Sequence, residues 1–393
     1  MRYRNQLTYS PLPRIKDLFT RNTSYLNADI SNIWLKNNDL GFWLSRSSWS
    51  IYTIAKYRMQ QIKKEVTNIC MPDYFCNESL DLLRKLNVNI KFYKVDMSGN
   101  ADLSSIESLF NGDHPDIILY VHYFGKCADS RILSNYAVKI GAWLIEDATH
   151  CLKPERDIGS YGDFVMYSPH KLVPIPNGAL LIIRPDGPSK IFSNDSQISN
   201  YEIFYQSILT NFNRYDISEF IWLAKRLFQK LFFRINRKAE FGDVIGESGI
   251  RAMPQPKMSK LGMRLLVNLA SSLGEDSVNR INKQEAWKAS LIDAGILSHD
   301  NGLNNLPFTP YQARFSFENS KKAEYFFKLL TKYNISATTW PDLPPEVMKN
   351  PEKHKDAIKM RNIYLYFPLH SSIENKDISL SIERIDERRV NFV

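Results

Sequence analysis

Short apolar segments alternate with segments of helical periodicity between about residues 40 and 185, and this alternation limits the folds open to the chain. Apolar strands separated by helices favour parallel pairing, in a sheet that helices cover on both faces. The last three predicted strands follow one another with little helix between them, which argues against a uniform barrel. We therefore predict an α/β domain with a mixed, mostly parallel sheet. The predicted strands are Val66–Met71, Ile90–Val95, Ile117–Val121, Trp143–Ile145, Phe164–Tyr167 and Ala179–Ile183, and the predicted helices are Ser48–Arg58, Ser79–Leu86, Leu103–Phe110 and Ser130–Ile140.

The second half of the chain has a different pattern. Residues 186–215 are polar and are predicted to be irregular, and from about residue 300 short strand patterns alternate with helical ones, as in α+β domains. We predict a large α/β domain over residues 1–285 and a small α+β domain over residues 286–393. The later predicted helices are 220–238, 259–273, 275–294, 321–333 and 376–390, and the later predicted strands are 313–317, 335–338 and 362–366.

The composition narrows the class of partner. Fifty-one Lys and Arg residues against 42 Asp and Glu residues give a formal net charge of +9, which favours anionic partners such as nucleotides and phosphorylated metabolites. The four cysteines have no C-x-x-C spacing and are too few for a disulfide scaffold. Because no apolar segment has the length of a signal peptide or a membrane span, we expect a cytoplasmic location.

Several common site motifs are absent from the sequence. It contains no glycine-rich dinucleotide or nucleotide phosphate motif, no H-E-x-x-H and no G-x-S-x-G. The seven histidines are scattered, and none pairs with cysteine at zinc spacing. We therefore predict no metal site and no nucleic-acid partner, and we rank dehydrogenases, ATPases of the phosphate-loop type and zinc hydrolases low.

Polar side chains follow three neighbouring predicted strands. The segments are DIILYVHYFG (116–125), WLIEDATH (143–150) and DFVMYSPHK (163–171). Ligands of open α/β sheets lie outside the carboxyl ends of the strands, so these three ends are predicted to line one crevice. Pyridoxal phosphate needs a lysine, a carboxylate at its ring nitrogen, and a helix N-terminus with hydroxyls for its phosphate. Lys171, Asp147, Ser168 and the segment 45–48 match these needs.

The succession VHYFG…WLIEDATHCL…IGSYGDFVMYSPHKLVPIPNGALLI resembles the DegT/StrS-type sugar aminotransferases, which are pyridoxal phosphate enzymes of fold type I. Weaker similarity extends to MPDY (71–74), to QPKMS (255–259) and to FPLH (367–370). The resemblance spans about residues 40–185 well and 250–385 loosely. It implies a large domain with a mixed, mostly parallel sheet, a small α+β C-terminal domain, and pyridoxal 5'-phosphate as the cofactor.

The resemblance also assigns roles to individual residues. Lys171 corresponds to the catalytic lysine that attaches to the cofactor, and Asp147 to the partner of its ring nitrogen. His150 would contact the cofactor ring or its phenolic oxygen. Ser168, Arg46 and Ser47 would bind the cofactor phosphate. The family's active sites are shared within a homodimer, so Gln255 would reach the phosphate bound by the other subunit.

Two positions differ from the family pattern. Ser45 stands where the family has a glycine in the turn that binds the cofactor phosphate, called the phosphate turn below. Cys76 stands where many members stack an aromatic ring on the cofactor. Each matched residue also has a simpler reading: Asp147 as a helix N-cap, Lys171 as a surface lysine, His150 as a hydrogen-bonded core histidine and Arg46 as a solvated cation.

The leading hypothesis is an aminotransferase that moves an amino group from an amino acid such as glutamate to a nucleotide-linked keto-sugar. Such a reaction serves the biosynthesis of surface polysaccharides or secondary metabolites. One alternative keeps the fold but changes the reaction to that of a lyase, desulfurase or dehydratase. The other is a non-catalytic scaffold of the same fold.

The segment FIWLAKRLFQKLFFRINRK (220–238) is predicted to form a basic amphipathic helix. It either packs on the large domain or contacts an anionic membrane or a partner. The sequence leaves both interpretations open.

Overall fold

The computed structural model describes residues 8–19, 29–36, 38–110, 113–212, 217–232, 241, 255–298, 308–340 and 342–386. None of the helices in these ranges combines the length and the apolar character that crossing a membrane requires. Within the same ranges, no group of three or more His, Cys, Asp or Glu side chains is arranged to hold a metal ion.

A seven-stranded mixed sheet forms the centre of the molecule, as predicted. Its spatial order is β1-β7-β6-β5-β4-β2-β3, and β7 alone runs antiparallel to its neighbours β6 and β1. Every residue of β2 and of β4 to β7 is buried, which explains why these strands are continuous apolar segments rather than alternating ones. The strands are β1 Leu40–Leu44, β2 Thr67–Pro72, β3 Val88–Tyr93, β4 Ile117–Val121, β5 Trp143–Asp147, β6 Phe164–Tyr167 and β7 Ala179–Ile183.

The C-terminal part contains a second, two-stranded antiparallel sheet and its own apolar core. Strands β8 Ala313–Ser316 and β9 Tyr364–Phe367 pair with each other, and their inward residues pack with Trp287 and Leu291. The helix that carries Trp287 and Leu291 begins at Leu273, which packs in the core beneath the large sheet. The predicted boundary after residue 285 falls inside this helix, and the division into two domains stays a prediction.

The described helices cover the large sheet and surround the small one. They are α1 Ile15–Phe19, α2 Ser47–Ile62, α3 Leu103–Glu107, α4 Arg131–Ile140, α5 Asp195–Asn211, α6 Ser218–Phe232, α7 Lys260–Leu269, α8 Leu273–Asp293, α9 Ser320–Lys332, α10 Pro345–Met348, α11 Lys355–Ile363 and α12 Asn375–Asp386. Parts of two predicted helices, 233–238 and 387–390, lie outside the described residues.

Three local predictions were wrong, and strand β1 was not predicted. Residues 195–211 form α5 instead of an irregular segment. Polar residues fill the exposed side of α5, and they conceal the helical spacing of its four buried residues, Tyr201, Phe204, Tyr205 and Ile208. The predicted helix 79–86 is a pair of short 3-10 turns, and the predicted strand 335–338 is reduced to a single bridge between Thr338 and Tyr366.

Candidate active site

The carboxyl ends of β4, β5 and β6 lie side by side, because these strands are parallel neighbours. Val121 at the end of β4 pairs with Asp147 at the end of β5, and Asp147 pairs with Met166 of β6. His150 follows β5 by three residues, and β6 leads through Ser168 into a 3-10 turn, Pro169–Lys171. The topology therefore brings together the strand-end residues that the sequence singled out.

Lys171 has a buried ε-amine with a neutral hydrogen-bond partner. Its Nζ donates to the Thr149 hydroxyl over 3.0 Å. Burial lowers the pKa of Lys171 and outweighs the opposing charge of Asp147, while Arg46 adds a smaller effect in the direction of burial. A larger fraction of this amine is therefore neutral near pH 7 than for a lysine in water, which is the state that attacks an aldehyde.

Asp147 has few partners for a buried carboxylate. Its side chain is 5% exposed, and among the described residues only the Thr149 backbone N–H donates to it, over 2.9 Å. A carboxylate accepts up to four hydrogen bonds, so Asp147 retains unused acceptor capacity beside Lys171. The simpler interpretation of Asp147 as a helix N-cap does not fit, since no helix begins at this residue.

Ser168 presents a buried hydroxyl that has no hydrogen-bond partner among the described residues. Helix α2 begins at Ser47, and Arg46 at its N-cap position makes no side-chain capping hydrogen bond. The residue before the helix, Arg46, donates from Nη2 to the Pro176 carbonyl over 3.3 Å, and its charge lowers the pKa of both His170 and Lys171 after the larger effect of burial. Arg46 is thus a cation close to the 3-10 turn Pro169–Lys171, called the lysine turn below.

The turn before α2 is held by two other segments of the same chain. The Ser45 hydroxyl donates to the Gln255 carbonyl, and the Ser45 N–H donates to the Pro256 carbonyl over 2.8 Å. The Gly178 N–H donates to the Ser45 carbonyl over 2.9 Å. The serine at the family's glycine position therefore has a structural partner, and Gln255 lies beside the phosphate turn of its own subunit.

His150 is enclosed by aromatic rings. Its ring stacks on Tyr311 with 4.5 Å between centroids and on Phe124 with 5.5 Å. The Phe124 N–H donates to Nδ1 over 3.3 Å, and burial, with a smaller effect from Lys171, holds the pKa of His150 well below 6.5. The neutral ring therefore carries its proton on Nε2, the one nitrogen that remains free to donate to a bound molecule.

The backbone at Phe124 is strained in a way that serves this contact. Phe124 has φ +58°, a left-handed conformation that is unfavourable for a bulky residue, and Gly125 follows with φ +90°. A Cβ at Gly125 would lie 2.2 Å from the Thr309 carbonyl oxygen, so only glycine fits. The strained turn directs the Phe124 N–H at His150.

Two residues at the site were missed by the sequence analysis. Thr149 lies in the segment EDATH (146–150) and was assigned no role from the sequence, yet its hydroxyl accepts a hydrogen bond from the Lys171 amine. Arg280 on α8 is 1% exposed; it pairs with Asp276 and donates to the carbonyls of Leu172 and Tyr311 over 2.7 and 2.9 Å. It therefore fixes the backbone next to Lys171 and next to the ring that stacks on His150, and its sequence context gives no signal of this.

Glu146, next to Asp147, has a structural role. Its buried carboxylate accepts from five donors: the side chains of His122 and Ser130 and the backbone N–H groups of Gly159, Tyr161 and Gly162. Burial alone would raise its pKa, but the hydrogen bond and charge of His122 and the backbone donors lower it overall. Glu146 ties the β5–β6 connection to the end of β4.

These groups fit pyridoxal 5'-phosphate. The lysine amine with its lowered pKa suits the aldehyde, the under-bonded Asp147 suits a protonated ring nitrogen, and the orphaned Ser168 hydroxyl with the α2 N-terminus suits a phosphate. The assignment of individual site residues stays a prediction.

Comparison with known proteins agrees with the fold and with the motif. The model of the DegT/DnrJ/EryC1/StrS aminotransferase family matches residues 58–181, a range that includes Lys171 and Asp147. Comparison with curated protein sequences gives no match.

Solved structures of this fold cover almost the whole chain. The PLP-form of the putative sugar aminotransferase Spr1654 from Streptococcus pneumoniae has a TM-score of 0.67 at 13% identity, and the similarity covers 98% of each chain. Helicobacter pylori PseC, an aminotransferase involved in the biosynthesis of pseudoaminic acid, has a TM-score of 0.63 at 13% identity, over 98% of this chain and 100% of that one. A DegT DnrJ EryC1 StrS aminotransferase from Brucella abortus has a TM-score of 0.61 at 12% identity, over 89% and 86%.

The structural likenesses confirm the predicted fold type I architecture, and the family model confirms the recognition made from the motifs. The matched family and the solved structures are described as aminotransferases, and one of the structures is a PLP-form, which agrees with the predicted enzyme class and cofactor.

Proposed function

We propose that this chain, whose residues 58–181 match the DegT/DnrJ/EryC1/StrS aminotransferase family, transfers an amino group from an amino acid to a keto-sugar linked to a nucleotide. Glutamate is the proposed donor, and the proposed context is the biosynthesis of a surface polysaccharide or secondary metabolite in the cytoplasm. The observation that carries the proposal is the buried Lys171 amine, bonded to Thr149 and placed within the field of Asp147.

Lys171 has two proposed tasks. Its amine, whose pKa burial lowers, forms the covalent bond that retains the cofactor, and once freed it moves a proton at the substrate carbon. Thr149 holds the amine in place between these tasks. The bound cofactor supplies an electron-withdrawing ring, and the chain supplies the base and its orientation.

Asp147 is proposed to keep the ring nitrogen of the cofactor protonated. Its unused acceptor capacity and its burial make it a strong partner for a buried N–H, because the charge is screened little by water. His150, donating from Nε2, is proposed to orient the ring.

The phosphate is proposed to bind between the α2 N-terminus and the lysine turn. The Ser168 hydroxyl, Ser47 and Arg46 are the proposed contacts. A helix of 16 residues, whose N-cap residue makes no side-chain capping bond, presents the partial positive charge of its N-terminus to an anion. The chain's net charge of +9 favours the same kind of substrate, a nucleotide diphosphate.

A homodimer with shared active sites is also proposed. The Gln255 segment contacts the phosphate turn through Ser45. A second copy that approaches this segment would bring its own phosphate turn into reach of Gln255.

The test is an amino-transfer assay with glutamate and a panel of nucleotide-linked keto-sugars, using wild type, Lys171→Ala and the matched control Lys139→Ala on the exposed side of α4. The proposal expects amino transfer and visible cofactor absorbance in the wild type and the control, and neither in Lys171→Ala. Unchanged transfer by Lys171→Ala would refute it.

The surroundings of Cys76 argue against a desulfurase, one of the alternative reactions. Cys76 is the cysteine whose charge acts on Lys171, but burial raises the pKa of its thiol above 9.0, despite the opposing charge of Lys171. A nucleophilic cysteine needs a lowered pKa. Sulfide release from cysteine by the purified protein would overturn this conclusion.

A further inference from the structure

Helix α6 exposes apolar residues along one side. Ile217, just before the helix, is 49% exposed, and Phe220, Ile221 and Phe228 are 62%, 50% and 46% exposed. Ala224 is exposed between them. At 100° per residue these five residues span an arc of about 100°, so they form one continuous apolar stripe.

The opposite side of α6 is attached to the large domain. Trp222 packs against the core beneath the sheet, and the Glu219 carboxylate accepts the Leu261 N–H over 3.2 Å. Arg226, 7% exposed, lies over the Trp222 ring at 5.9 Å. One side of α6 therefore packs on the protein, as expected for a surface helix, and the apolar stripe lies on the other side.

The segment of the chain that carries the apolar stripe is strongly basic in sequence. Residues 217–238 contain six Lys and Arg residues and one Glu, a net charge of 6 − 1 = +5 out of the +9 of the whole chain. Lys225 is exposed next to the stripe on the described helix. An anionic surface complements this charge, whereas a second copy of the same stripe would bring like charges together.

We propose that the apolar stripe of α6 binds the surface of an anionic lipid bilayer. Phe220, Ile221 and Phe228 enter the boundary between headgroups and acyl chains, while the exposed Lys225 contacts anionic headgroups. The helix lies in the plane of the interface with its other side on the protein. This binding is independent of the aminotransferase reaction.

The test is co-sedimentation of the full chain with vesicles of phosphatidylcholine alone or of phosphatidylcholine mixed with phosphatidylglycerol. Three variants accompany the wild type: Phe220→Ser with Phe228→Ser, Lys225→Glu, and the control Ile132→Ser with Val138→Ser, which removes two apolar residues that are 59% and 49% exposed on α4. Circular dichroism and visible cofactor absorbance verify that each variant is folded.

The proposal expects the wild type and the α4 control to bind the anionic vesicles at least about tenfold more tightly than phosphatidylcholine. The affinity for anionic vesicles should fall at least about tenfold in the double phenylalanine variant and by less in Lys225→Glu. Binding should also weaken as the salt concentration rises. Failure of the folded wild type to bind anionic vesicles, or equal binding by the double phenylalanine variant, overturns the proposal. So does a wild-type oligomer that ignores vesicles and dissociates in that variant, since the stripe would then join two copies.

Discussion

The adjacent carboxylates of Glu146 and Asp147 occupy opposite sides of the same strand, and their surroundings differ sharply. Glu146 is fully buried and accepts from five donors, whereas Asp147 accepts from one described donor, the N–H of Thr149. Burial is nearly equal for the two. The number of hydrogen bonds that the protein itself provides is what separates them.

We propose that this difference separates a structural acid, Glu146, from a functional one, Asp147. A buried carboxylate with all its donors stabilises the fold, while one with few donors is costly unless a further group binds to it. The same contrast holds between the Ser130 hydroxyl, which donates to Glu146, and the Ser168 hydroxyl, which has no partner among the described residues. The protein itself thus supplies five donors to Glu146, and among the described residues it supplies one to Asp147.

The largest expected effect is on catalysis, from Asp147→Asn. The amide keeps the acceptor for the Thr149 N–H but removes the charge that would hold a ring proton, so activity should fall by about 10²- to 10³-fold. The free energy of unfolding should change by less than about 1 kcal/mol, since the one hydrogen bond survives. Steady-state kinetics and urea unfolding measure the two quantities. Full activity in this variant would contradict the proposed role.

Glu146→Gln should give the reverse result. One half of the new amide is a donor that faces other donors, so the free energy of unfolding should fall by about 3–5 kcal/mol, as for a buried pair that loses one partner. Activity per folded molecule should change far less than in Asp147→Asn. If Glu146→Gln lost activity but kept its stability, the division between the two acids would be wrong.

Ser168→Ala should weaken cofactor binding by about tenfold, the worth of one hydrogen bond to a charged group. Stability without cofactor should stay the same or rise slightly, because the substitution removes a buried hydroxyl that lacks a partner. Titration of the cofactor-free protein with pyridoxal phosphate measures the affinity, and Ser130→Ala is the matched control. An unchanged affinity in Ser168→Ala would exclude this hydroxyl from the phosphate site.

The smallest effect concerns the pH dependence of stability. The pKa of Glu146 is lowered in the folded protein, so its ionised form stabilises the fold above its unfolded pKa, near 4.5, and the contribution is lost as the pH falls below that value. The difference in unfolding free energy between wild type and Glu146→Gln should therefore be constant above pH 4.5 and shrink in more acid solution. A difference that grows on acidification would contradict the lowered pKa.

The sequence predicted the parts of the molecule that depend on neighbouring residues. Strands such as β4 and β7 were predicted because burial on both faces makes them continuous apolar segments. Strand β1 was missed because its burial is only partial, and α5 because polar residues on its exposed side conceal its four buried ones.

The motif around Asp147 and Lys171 was evident in the sequence, but the groups that hold these residues were not. Arg280 reaches the Leu172 carbonyl across 108 positions of sequence, and such a contact leaves no local pattern. The exposed apolar stripe on α6 was likewise invisible, because periodicity shows that a helix is amphipathic but not which side faces the protein.

Lys171 is proposed to be the residue that holds the cofactor. Reduction of the purified protein with borohydride, followed by digestion and mass spectrometry, locates any lysine bonded to pyridoxal phosphate. We expect the added phosphopyridoxyl mass on the peptide that contains Lys171 and on no other. Its appearance on a different lysine, or its absence from a protein saturated with pyridoxal phosphate, would refute this role of Lys171.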